Sequence, residues 1–107
     1  MPTPAVSVAI PTRDRPAELE RALASLAAAA EHESAELIVV DDGSRSKAVA
    51  DLAHAYGVRY VRHEPATTLN AARNRALEEA RADLVAFVDD DVIVPPDTNS
   101  ILLEVSR

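Results

Sequence analysis

Leu84-Val85-Ala86-Phe87-Val88-Asp89-Asp90-Asp91 sets five apolar residues directly against three carboxylates. The apolar half reads as a short strand buried on both faces, the pattern of a parallel sheet covered by helices. Three adjacent like charges repel one another, so a fold that gathers them needs a cation or strong donors to complete the group. The acids have no capping task, because Val92-Ile93-Val94 follows them, and no basic residue adjoins them.

Upstream, the same design recurs. Glu36-Leu37-Ile38-Val39-Val40 is a second apolar run closed by acid, Asp41-Asp42, before Gly43-Ser44. Val6 to Ile10, bounded by proline on both sides, reads as the first strand. Pro16 suits the first position of a helix, and Leu19, Ala22, Leu23, Leu26, Ala27 and Ala30 recur at steps of three and four. Glu18, Glu20, Arg21, Glu31 and Glu33 fall on its solvated face. A second helix is expected from about Ser46 to Tyr56, with Gly57 as its stop, and Val58 to Val61 reads as a strand near the sheet edge. A third helix is capped by Thr67 or Thr68 and runs to about Arg81, with Arg73, Arg75, Glu78 and Glu79 on its outer surface. Asn70 and Asn74 on this helix either face a polar site or are merely tolerated. The tail from Asp97 to Arg107 reads as one short helix.

Strand and helix thus alternate through residues 1–107, which predicts a single α/β domain: three layers, Rossmann-like, with helices on both faces of a mostly parallel sheet. Composition narrows the partners. A net charge of -7 with one lysine, Lys47, argues against nucleic acid. No Cys is present, so neither disulfides nor thiolate metal sites arise. The N-terminus lacks a signal-peptide pattern and no run is long enough to span a membrane, so a cytoplasmic setting is expected.

In an open parallel sheet, ligands bind outside the carboxyl ends of the strands. Pro11 to Arg15, Asp41 to Arg45 and Asp89 to Asp91 are the loops that converge there. Two of them are rich in carboxylate, which suits a divalent metal or a hydroxyl-bearing ligand better than a bare anion. Oxygen donors without Cys favour magnesium or manganese over zinc. For Asp41-Asp42-Gly43-Ser44 taken alone, turn formation is an equal reading. With only Gly43 and Gly57 in the chain, neither glycine-rich phosphate motif can be written. His32, His54 and His63 are isolated and read as surface residues.

Val6-Ser7-Val8-Ala9-Ile10-Pro11-Thr12-Arg13-Asp14-Arg15, Leu37-Ile38-Val39-Val40-Asp41-Asp42-Gly43-Ser44, Ala71-Ala72-Arg73-Asn74 and Phe87-Val88-Asp89-Asp90-Asp91, in this order, resemble the N-terminal half of family 2 glycosyltransferases with the GT-A fold. The resemblance covers about residues 5 to 97. It implies that Pro11, Thr12 and Arg13 contact the nucleotide of a nucleotide-diphosphate sugar, and that Asp42 binds its base with Asp41 as the supporting neighbour. It also places the family's D-x-D motif on Asp89-Asp90-Asp91. Asp91, with Asp89, would then hold a divalent cation on the diphosphate and Asp90 the ribose, the register being open by one. Inversion at the anomeric carbon is implied, and so is a separate acceptor-side base.

That base and the family's Q-x-x-R-W segment lie well beyond the D-x-D motif, whereas the chain ends 16 residues after Asp91 and has no Trp. The expectation is a donor-binding half without turnover by itself, its acceptor unknown. A non-catalytic nucleotide-binding or regulatory module is the alternative. A receiver-type signalling domain is a third reading, but its acid pair should follow the first strand. Arg13-Asp14 also stands where Tyr-Asn is common in the family.

Overall fold

The structure, a computed structural model, describes residues 4–30, 35–63, 69–91 and 105–106. Thr67, Thr68, His32, residues 92–104 and the side chain of Asn70 lie outside that description. Strand β1 (Val6–Thr12) leads into helix α1 (Pro16–Ala30), followed by β2 (Ala35–Asp41), α2 (Ala48–Ala55), β3 (Arg59–Arg62), α3 (Leu69–Glu79), β4 (Leu84–Phe87) and β5 (Val105–Ser106). The strands lie in the order β3-β2-β1-β4-β5. The first four run parallel, and β5 pairs antiparallel with β4.

The described part of the tail is therefore a strand, where a helix was expected. An uncovered β4 edge would leave a row of backbone donors and acceptors unpaired, and Val105 and Ser106 pair with Ala86 and Val85 along it. The order β3-β2-β1-β4 also separates this fold from receiver domains, whose sheet runs 2-1-3-4-5.

Strand alternation divides the core in two. Val8, Ile10, Leu37 and Val39 pack against Leu19, Ala22, Leu23 and Leu26 of α1 and Val49 and Ala53 of α2. On the other face, Ala9, Ile38, Val40 and Val61 meet Ala72 and Ala76 of α3. Alanine on α3 lets that helix lie close to the sheet. The α1 leucines are fully buried, and each contributes about 1.5–3 kcal/mol by leaving water.

Local chemistry sets the boundaries. Pro16 has no N–H to lose at the first position of α1, and the Leu19 N–H donates to the Arg15 carbonyl at 3.0 Å. At the end of α2, Gly57 takes φ 67°. Its N–H bonds to the His54 carbonyl at 3.1 Å and the Val58 N–H to the Ala53 carbonyl at 3.0 Å, a Schellman stop. Strand β3 lies at the sheet edge, as its alternation implied.

A polar cluster ties down the amino end of the sheet. The buried Ser7 hydroxyl donates to Glu36 Oε2 at 2.7 Å, and the Arg81 N–H donates to the same oxygen at 3.1 Å. Arg59 Nη1 reaches Glu36 Oε1 at 3.2 Å and also donates to the Glu79 carbonyl, while its Nη2 lies 2.7 Å from Glu79 Oε1. Burial pushes the Glu36 carboxyl up, but Ser7, the Arg81 N–H and Arg59 outweigh it, and the group lies below its ordinary value. A depressed carboxyl contributes stability above the usual carboxylate range, and that stability is lost as pH falls through the folded-state value. Urea unfolding from neutral pH down to about pH 3 should accordingly show a smaller acid loss in Glu36→Gln than in the unmodified chain. Equal acid losses would remove Glu36 from the account of acid sensitivity.

The outer surface of α3 is less solvated than its sequence implied. Arg75 and Glu79 pair at 3.0 Å, and the Arg73 guanidinium lies 5.4 Å from the centre of the Phe87 ring. Arg73 covers the sheet with its apolar stem and ring-facing plane, which helical spacing alone does not reveal.

Candidate functional site

The loops leaving β1, β2 and β4 emerge at one edge, because these strands are parallel and adjacent. Strand order reverses between β1 and β4, the position where such sheets open a crevice. Register then fixes which residues meet. Thr12 pairs with Asp41, and Ala9 pairs with Phe87, so counting onward from Phe87 brings Asp90 level with Thr12. The buried Thr12 hydroxyl donates to Asp90 Oδ2 at 2.9 Å.

Asp90 has a second partner from the same loop. Arg15 Nε donates to Asp90 Oδ1 at 3.1 Å, and its Nη2 lies 3.8 Å from Asp91 Oδ2 and 3.8 Å from Glu18 Oε2. The Asp90 side chain is 12% exposed and that of Asp91 61%. Asp89 is exposed as well. The three acids thus have distinct settings: Asp90 is anchored to β1 and its loop, while Asp89 and Asp91 reach toward solvent.

The loops after β1 and β2 are stapled together. Asp14 takes φ 53°, a conformation that Asn and Asp tolerate better than other residues with a Cβ. Its N–H donates to Ser44 Oγ at 2.9 Å, and its Oδ1 accepts the Arg45 N–H at 2.7 Å. An Asn carbonyl oxygen can accept the same bond, so the Asp found here retains the geometry of the residue common in the resembled family. The Asp42 N–H donates to the Thr12 carbonyl at 2.9 Å, which closes the gap between the strand ends.

Asp41 is fully buried beneath these loops. Its Oδ1 accepts the Ser44 N–H at 2.8 Å, and its Oδ2 accepts the Tyr60 hydroxyl at 2.6 Å with Arg62 Nη1 at 3.5 Å. Burial, then the bond to Asp41, push the Tyr60 phenol up against a smaller opposing effect of Arg62. Tyr60 therefore remains a donor through the neutral range.

Every sequence-predicted site residue lies on this edge. Thr12 and Asp41 are buried, Pro11 and Asp42 half-buried, and Arg13, Asp89 and Asp91 exposed. Arg15, Tyr60 and Arg62 were not singled out. Tyr60 and Arg62 stand two apart on β3, so one register assignment would have aimed both at Asp41. His54 is exposed, edge-on to Tyr60 with ring centres 6.0 Å apart, and His63 follows β3 half-buried, its N–H donating to the Asp41 carbonyl at 2.8 Å.

Among the described residues, no three acidic or histidine side chains are placed to hold a metal by themselves. Magnesium and manganese sites on substrate phosphates typically use one or two carboxylates, with phosphate and water completing the shell. The open Asp91 carboxylate, with exposed Asp89 nearby in sequence, fits that requirement.

Residues 7–105 match the sequence profile of Glycosyl transferase family 2. The chain belongs to that family. It is 33% identical over 109 residues to the succinoglycan biosynthesis protein ExoM of Rhizobium meliloti, covering 95% of this chain and 35% of that protein. Among solved structures, S. aureus TarS 1-349 superposes with TM-score 0.74 at 26% identity, covering 86% of this chain and 29% of that 1-349 chain. Glucosyl-3-phosphoglycerate synthase from Mycobacterium tuberculosis, solved with Mn2+, UDP and glucosyl-3-phosphoglycerate, superposes with TM-score 0.72 at 30% identity, covering 84% and 34%. The chain spans about a third or less of the length of each of these proteins. No helix among the described residues is long and apolar enough to cross a membrane.

Proposed function

We propose that this family 2 chain binds the donor of an inverting sugar transfer, a nucleotide-diphosphate sugar, at the edge formed by Pro11–Arg13, Asp41–Asp42 and Asp89–Asp91. The observation that carries the reading is the convergence of Thr12, Asp42 and the Asp89–Asp91 acids at the β1/β4 reversal. The structural likeness to glucosyl-3-phosphoglycerate synthase, solved with Mn2+ and UDP, supports it.

Each residue then has a task. Asp42 at the end of β2 receives the base, while buried Asp41 holds the turn beneath it. Pro11, Thr12 and Arg13 line the nucleotide, with Arg13 exposed toward it. Asp90, anchored by Thr12, faces the ribose, and Asp91 with Asp89 presents oxygen to a divalent cation on the diphosphate. Such a cation, manganese or magnesium, neutralises the charge that develops on the departing diphosphate. Proton removal from the acceptor hydroxyl requires a carboxylate opposite the leaving group, a role given to none of these residues. By itself the chain, a single donor-binding domain, is proposed to bind donor without transferring sugar, and its acceptor is unassigned.

Calorimetric titration with UDP, GDP and UMP, each with and without manganese, tests this. Diphosphates should bind more tightly with manganese, and UMP should gain little. Absence of binding by every nucleotide in both conditions would leave only the fold.

A further inference from the structure

The acidic corner already contains a positive charge, and it comes from this chain. Arg15 sits 75 residues before Asp90 in sequence, yet its guanidinium lies among three carboxylates: 3.0 Å from Asp90 Oδ2, 3.8 Å from Asp91 Oδ2 and 3.8 Å from Glu18 Oε2. The Arg15 backbone starts the helix through its carbonyl, a task any residue performs, and its side chain is 46% exposed.

We infer that Arg15 is a built-in counter-cation of the D-x-D corner, one that a divalent ion must displace from Asp91. The inference rests on the donor-binding reading above and deepens it. Its contacts divide by strength. Nε alone reaches both Asp90 oxygens, Oδ1 at 3.1 Å and Oδ2 at 3.0 Å, a charge-assisted hold on a carboxylate that is nearly out of solvent. The contact to Asp91 is longer, to a carboxylate open to water, and is the one an incoming dication can replace. Arg15 therefore holds Asp90 in place in both states and releases Asp91 when the cation arrives. In the metal-free chain it relieves the mutual repulsion of the acids, which answers why they can stand together at a strand end. In exchange, it weakens the corner for a dication, since two positive groups compete for one carboxylate.

The competition has a sign that a scaffolding role lacks. If Arg15 merely kept the loop in shape, its removal would loosen the site and weaken cation binding. If it competes, removal tightens cation binding.

The test is manganese affinity in the presence of saturating UDP, read from the electron paramagnetic resonance signal of free manganese. Arg15→Gln should bind manganese about three- to fivefold more tightly than the unmodified chain, the range one half-exposed ion pair commands. Arg15→Lys, which keeps the charge and loses the planar two-acid reach, should fall between them. Arg21→Gln on the exposed face of α1 removes the same charge elsewhere and should leave affinity unchanged. Equal or weaker binding by Arg15→Gln, with the unmodified chain binding normally, would overturn the inference and leave the donor-site reading intact. Equal tightening in Arg21→Gln would also overturn it, since only overall charge would then be at work. If neither the unmodified chain nor Arg15→Gln binds manganese, the metal reading itself fails and the inference falls with it.

Discussion

Asp91→Ala is expected to remove the manganese dependence of UDP binding while leaving the manganese-free affinity nearly unchanged. Asp91 is the most open of the acids with a measured neighbour, 61% exposed, and it makes no contact shorter than 3.8 Å to Arg15. Its loss therefore disturbs little of the fold. A metal held mainly by substrate phosphates and one or two carboxylates loses a large part of its protein anchorage when one goes. The manganese-assisted gain in UDP affinity should shrink by about a hundredfold, the upper end of what even indirect changes around a metal cost. Calorimetry with and without manganese reads it directly. An undiminished gain in the variant would move the cation to other oxygens, with Asp89 the first to be tried.

Asp41→Ala should have the opposite profile, a large stability loss whether or not nucleotide is present. The Asp41 carboxylate is fully buried and accepts from the Ser44 N–H and the Tyr60 hydroxyl. Its removal leaves the buried Ser44 N–H without a partner, at about 1–3 kcal/mol, and takes the acceptor from the part-buried Tyr60 hydroxyl at a smaller cost. Arg62 is 37% exposed and can return to water, so the lost ion pair adds little. The total is about 3 kcal/mol, which corresponds to about 12–20 °C in Tm for a chain of this size. Thermal unfolding followed by circular dichroism measures it, and a shift below about 3 °C would mean that Asp41 supports nothing. Asp42→Ala provides the contrast. Its loss should weaken nucleotide binding with or without manganese and, the residue being half-buried where Asp41 is fully buried, lower the Tm by less than Asp41→Ala does.

The parts of this molecule legible in sequence are those decided by local pattern. Val6–Ile10, Glu36–Val40 and Leu84–Val88 read as buried strands because β-branched and aliphatic runs between turn residues have few other uses. Helix α1 followed from Pro16 and the spacing of its leucines, and Gly57 announced the end of α2. The convergence of the acidic loops followed from parallel strand order alone.

What stayed hidden depends on distance in sequence. Arg15 meets Asp90 across 75 residues, and nothing near Asp89-Asp90-Asp91 foretells a basic partner. Tyr60 and Arg62 meet Asp41 only once β3 is placed beside β2 in one register. Asp14 looked like a departure from the resembled family, yet its left-handed backbone and its bond from the Arg45 N–H are ones that Asn also makes. The strand at Val105–Ser106 was read as helix because a two-residue strand has no periodicity to detect.

The cation proposed on the diphosphate of a bound nucleotide, at the carboxyl ends of β1 and β4, is located directly by paramagnetic broadening. Amide resonances of the chain saturated with UDP would be recorded while manganese is added in small increments. Thr12 and Asp89 to Asp91 should broaden first, and Ser7, Glu36 and Ala82 at the opposite end of the sheet should keep their intensity. Uniform broadening, or early loss at Glu36 and Glu79 instead, would contradict that placement.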